Sequence, residues 1–164
     1  MGSMKTGLPV LFLLLVPASL AAQTDADHHS GVVQRGEDHA GMGFSQTATT
    51  HHFLLTENGG IIQVTAKDPK DGAQIEMIQM HLQHIAGMFA EGNFSIPHFV
   101  HAQTPPGVET MQRLKGLIRY SAEAQPAGGR VRIETDSAEA RAAIHEFLRF
   151  QIKDHETGDP LTIR

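Results

Sequence analysis

Residues 59–68 read GGIIQVTAKD, and residues 128–136 read GGRVRIETD. Both open on a glycine pair, continue as an alternation of apolar and polar residues, and lead into a helical pattern. Alternation with a period of two marks a strand with one buried face. A second alternating run precedes each: HHFLLTE at 51–57, and Leu117 to Ala124 in the later half. Asn58-Gly59-Gly60 and Pro126-Ala127-Gly128-Gly129 supply the turn residues between the runs, so each half reads as a β-hairpin. Alternation places His51, Phe53 and Leu55 on one face of the first strand, and Ile62 and Val64 on one face of the second.

The period then changes to that of a helix. Ile75, Ile78, Leu82, Ile85 and Phe89 recur at helical spacing and predict a long helix from about Gly72 to Glu91, ended by Gly92-Asn93. In the second half Ser137 is suited to cap a helix from Ala138 to about His155, with Ile144, Leu148 and Ile152 as its stripe. Between the halves FSIPHFVHAQTPPG (94–107) reads as irregular or briefly extended, and Val108 to Leu114 as a short helix. The sequence identity between the halves is faint, so the repeat is one of structure. The expected fold is α+β: two ββα units forming one antiparallel four-stranded sheet with two long helices on one face.

The ends of the chain carry other signals. Met1-Gly2-Ser3 precedes a second start at Met4, as a cloning scar would. Lys5, the apolar run Leu8 to Val16 and the small residues Ala18-Ser19-Leu20-Ala21-Ala22 make 1–22 a signal peptide, too short to span a bilayer comfortably. Residues 23–48, including TDADHHSGVVQRGEDHAGMGFSQ, lack apolar periodicity and read as a flexible His/Gly/Asp-rich leader. A single domain over 49–158 and a tail over 159–164 complete the expected organisation, in a periplasmic or secreted protein without stable membrane insertion once the signal is cleaved.

Composition narrows the chemistry. The 164 residues include no cysteine, which removes disulfides, thiolate metal sites and thiol catalysis. The formal charge of −5, with no Lys/Arg cluster, argues against nucleic acid as a partner. Eleven histidines stand out, each a potential metal ligand or proton switch. In MIQMHLQHIAGMF (77–89), Met77, His81, His84 and Met88 form a second stripe beside the apolar one, with His81 nearest the core edge. His155 falls within the core stripe of the closing helix and His145 at its border, while His51 faces the helices from its strand. His51, His81 and one or both of His145 and His155 are therefore expected to converge between sheet and helices, with His98 or His101 from the following loop as a further ligand. Imidazoles suit copper or zinc, and the neighbouring thioethers favour copper. Met77 and Met88 equally read as core filling. Haem is the alternative cofactor, with His81 as one axial ligand and Met88 or another histidine opposite. A binding or assembly module with structural or pH-sensing histidines is the other alternative, and a homodimer is compatible with it.

No HExxH, G-x-S-x-G, P-loop or dinucleotide-binding glycine pattern occurs, so the reading leans away from an enzyme while leaving a metal-assisted hydrolase open. A hydrolytic site would have to be assembled from a metal, His101 as base and Thr104. At TTHHF (49–53), MHLQHIAGMF (80–89), GNFSIPHFVHAQTPPG (92–107) and IHEFLRFQIKDH (144–155) the chain resembles a group of small exported bacterial proteins. These share the runs TTHxF, HLxxIAxxFxxGxF, IHxxxxPG and IHxFLxxQxxxH, and the resemblance covers about Thr49 to Pro160. It implies that the histidines to follow are His51, His81, His101, His145 and His155. Val100 stands where the group has isoleucine. Members often carry the label aspartate carbamoyltransferase, yet the phosphate-binding S-x-R-T-R run is missing here and the chain is too short for that activity.

Overall fold

The computed structural model of the protein describes Gly2, residues 25–37 and residues 42–163. Apart from Gly2, the expected signal peptide over 1–22 lies outside the described residues. The elements run α1 (Asp25–Glu37), β1 (Thr49–Thr56), β2 (Gly59–Ala66), α2 (Gly72–Ala90), α3 (Ser95–His101), α4 (Val108–Arg113), β3 (Ile118–Gln125), β4 (Gly128–Thr135) and α5 (Ala138–Asp154). Among the described residues the strands form one antiparallel sheet in the order β1-β2-β4-β3, giving the α+β fold that the repeat predicts. No helix among them is long and apolar enough to cross a membrane.

Each repeat closes as its local sequence dictates. Asp71 caps α2 by accepting a hydrogen bond from the Gln74 N–H at 3.0 Å, and Ser137 caps α5 through Ala140 N–H at 3.3 Å. The last turn of α2 ends with Gly92 in the left-handed region, where Gly92 N–H reaches Phe89 O and Asn93 N–H reaches Met88 O. On the sheet, Phe53, Leu55, Ile62, Val64, Val131 and Ile133 are buried beneath the helices. Gln63, Arg130 and Arg132 alternate with them on the opposite face.

The two halves interlock. Ile62 pairs with Val131 across the central β2–β4 ladder. Helix α2 rests mainly on β3 and β4, the hairpin of the other repeat, and α5 packs beside α4 and, on the sheet, chiefly against β1 and β2. The glycine pairs explain how the helices come so near. A Cβ on Gly60 would lie 2.1 Å from Leu148 Cδ1 on α5, and one on Gly129 would lie 3.0 Å from Leu82 Cδ1 on α2. The first glycine of each pair faces backbone instead: a Cβ on Gly59 would meet Ile133 O at 2.0 Å, and on Gly128 Val64 O at 2.1 Å. Matching bonds join the repeats, from Thr135 N–H to Asn58 O at 2.9 Å and from Ala66 N–H to Ala127 O at 2.8 Å.

Two segments differ from the sequence reading. Ser95–His101, read as irregular or extended, is helix α3. Pro97 sits in its first turn, where a missing N–H costs nothing, and Phe94 stacks on Phe89 with ring centroids 4.4 Å apart. Asp25–Glu37, read as part of a flexible leader, is helix α1. It buries Val32 completely and is tied down by Arg35 Nε–H donating to Val100 O at 2.8 Å. A single buried apolar side chain, Val32, among its described residues leaves no stripe for periodicity to detect.

Candidate functional site

Under the β1–β2 end of the sheet, between α2, α3 and α5, lies a cavity of about 60 Å³. Its walls are mainly apolar, with Ile62, Val64, Ile85, Phe89 and Phe147 among them, but four imidazoles also face it: His51, His81, His101 and His155. Each comes from a different element. His51 occupies an inward position of β1, in step with Phe53 and Leu55. His81 borders the buried stripe of α2, His101 ends α3, and His155 follows the last residue of α5.

The rings form a file. His51 and His155 lie parallel, with centroids 5.8 Å apart and planes 11° from each other. His155 meets His101 edge-on at 5.0 Å. Phe44 closes the other end, 6.1 Å from His51 and 5.4 Å from His81. Burial sets the protonation of the row by disfavouring the charged form. It lowers His51 to about 4, helped by repulsion from His81 and His52. It also lowers His81 to about 4, with His84 adding to the effect. His155 falls well below its ordinary value through burial and the neighbouring His101, His51 and His29. All three are neutral at physiological pH, the state in which imidazole nitrogen carries a free lone pair.

Hydrogen bonding separates the members of the file. His101 Nδ1 meets the Asp154 carboxylate, and its Nε2 lies 2.8 Å from Gln151 Oε1. That second contact requires either a second ring proton or the Gln151 amide turned end for end. Burial lowers the His101 pKa in spite of the opposing pull of Asp154 and Gln151. The same carboxylate accepts from His28 Nε2 at 2.8 Å, so Asp154 links α1 to the cavity wall. By contrast, His51 Nε2 is buried with no hydrogen-bond partner among the described residues.

The structure thus brings together four of the five histidines singled out in the sequence and separates the fifth. His145 is buried away from the cavity, where its Nε2 approaches Thr56 O and Gly59 O, each at 2.9 Å. It ties α5 to the β1–β2 turn, apart from the four histidines that line the cavity. Met88 packs against the core outside the cavity lining, which leaves the Met88–His81 haem pairing without support. His84 and His98 are exposed, and Thr104 contacts His98 Nδ1 at 3.2 Å, away from His101. Among the described residues no three His, Asp or Glu side chains stand ready to hold a metal ion.

No known family model matches this chain. No curated protein or solved structure matches it either. The site is therefore read from its own chemistry.

Four of its participants, Asp154 among them, were missed in the sequence. Gln151 is a polar residue on the core side of α5, at the glutamine of the run IHxFLxxQxxxH, and that position was a usable signal. Met42, which lines the cavity, and Phe44 belong to the stretch read as leader, where nothing marked them.

Proposed function

We propose that the protein binds a transition-metal ion in this cavity, copper ahead of zinc, through His51, His81 and His155, and that it does so as an exported protein. The observation that carries the reading is His51 Nε2, a buried and unpartnered nitrogen on a ring held neutral beside two other neutral rings. An unsatisfied buried polar group costs about 1–3 kcal/mol, which a metal bond would offset. His81 and His155 meet aromatic rings, and among the described residues no carboxylate holds either of them. Met42 adds a thioether to the same cavity, and imidazole with thioether is a donor set that suits Cu(I). About 60 Å³ accommodates an ion or a few waters. His101, held between Asp154 and Gln151, buttresses the ligand layer in the way outer partners orient metal-bound imidazoles elsewhere.

The experiment is metal titration of the purified mature chain with Cu(I), Cu(II) and Zn(II), followed by elemental analysis after desalting. One equivalent of copper should be retained, raise the melting temperature and be lost in His51→Phe. A chain that stays metal-free and melts at the same temperature with or without either metal would end the proposal.

A further inference from the structure

The two outer edges of the sheet are finished differently. At β1 the chain returns after α5, and Asp159 accepts from Phe53 N–H at 3.0 Å and pairs with His52 Nδ1 at 2.9 Å. That carboxylate occupies the edge. At β3 no segment among the described residues adds to the sheet, and Ser121, Ala122 and Ala124 are exposed. An open edge strand eight residues long presents a row of free N–H and C=O groups, and proteins that remain monomeric block such edges.

The residues along β3, IRYSAEAQ, are complementary to themselves when reversed about Ser121. Paired antiparallel about that residue, two copies would set Arg119 opposite Glu123 and Glu123 opposite Arg119. These two positions share the solvent face of the sheet, across from Glu134 and Arg130 of β4. On the helix face Tyr120 and Ile118, both turned into their own core, would stand opposite the small Ala122 and Ala124, so nothing bulky clashes across the pair. Centring the pair on 119 or 123 would instead set like charges against each other, and opposite charges across a ladder stabilise where like charges destabilise.

We infer that β3 is a dimerisation edge: two copies of this chain join it antiparallel about Ser121, making one continuous eight-stranded sheet. The inference is independent of the metal reading, since the cavity lies under the β1–β2 end of the sheet. It accounts for why one edge is covered and the other is not.

The absence of cysteine allows a clean test. Sedimentation of the parent chain should give twice the monomer mass. Ser121→Cys should form a cross-linked dimer on oxidation or with a short bis-thiol reagent, whereas Gln63→Cys, on the solvent face away from the edge, should not. Arg119→Glu and Glu123→Arg should each be monomeric, with the fold checked by circular dichroism, and an equimolar mixture should recover the dimer. A monomeric parent chain, or equal cross-linking from both cysteine positions, overturns the assignment. Should Glu123→Arg fail to fold beside Arg130 and Arg132, the cysteine pair alone decides it.

Discussion

His145 and His101 share a property: the atoms they bond come from far along the chain. His145 reaches backbone carbonyls 86 and 89 residues away, and His101 reaches Asp154 across 53 residues. Replacing His145 with alanine strips a donor from two carbonyls at the β1–β2 turn and should cost about 1–3 kcal/mol. Chemical denaturation would report it, and an unchanged midpoint would mean that water satisfies the turn equally well. At Ala102 the chain turns left-handed with φ 54° just after α3. Glycine escapes the Cβ penalty there, so Ala102→Gly should raise stability by about 1 kcal/mol. The sequence showed which histidines border the core, because helical and strand periodicities place them. It did not show what they bond, because that depends on which distant backbone the fold brings alongside.

At the scale of elements the glycine pairs are the informative feature. Both hairpins and both long helices were legible, since each has alternating or 3.6-period apolar residues bounded by turn or cap residues. Helices α1 and α3 were not, because α1 buries few residues of its own and α3 is held by Phe94, Pro97 and Val100 docking onto the rest of the fold. The glycines also separate the repeats energetically. Gly60→Ala would drive a methyl to 2.1 Å from Leu148 and 2.7 Å from Leu54 O, whereas Gly129→Ala meets Leu82 at 3.0 Å and Glu123 O at 3.2 Å. Overpacking of this kind costs about 1–3 kcal/mol. The first substitution should fall at the upper end and the second near the lower, a difference visible in thermal melts. Equal losses would indicate that α5 shifts away from the sheet as readily as α2.

For the whole molecule, the buried imidazoles make stability depend on pH. Burial holds His51 and His81 near 4 in the fold, against an ordinary value of 6.5, and also pushes His155 well below that value. The unfolded chain therefore binds more protons than the folded one between these limits. The stabilisation is present in full above about pH 6.5 and is lost as pH falls toward 4. His51 and His81 each contribute a slope of about 1.4 kcal/mol per pH unit, about 3 together, and His155 adds to it in the same direction. Against a total stability of roughly 5–15 kcal/mol, that slope should unfold the metal-free protein before pH 4. Urea midpoints measured from pH 7 downward would follow the loss, and a flat profile to pH 4.5 would show that the rings are solvated in solution. The α+β architecture itself was readable from the repeat, whereas the exchange of helices between hairpins was not, because periodicity fixes faces and leaves partners open.

That exchange governs how the molecule opens. Since α2 lies on the later hairpin and α5 on the earlier one, neither repeat owns a core, and releasing either helix uncovers the hairpin of the other repeat. Partial opening by halves is thus denied to this chain. Amide protons at the β2–β4 seam, around Ile62 and Val131, should exchange with solvent only through complete unfolding. Their rates would then give the global stability directly, from within the folded protein.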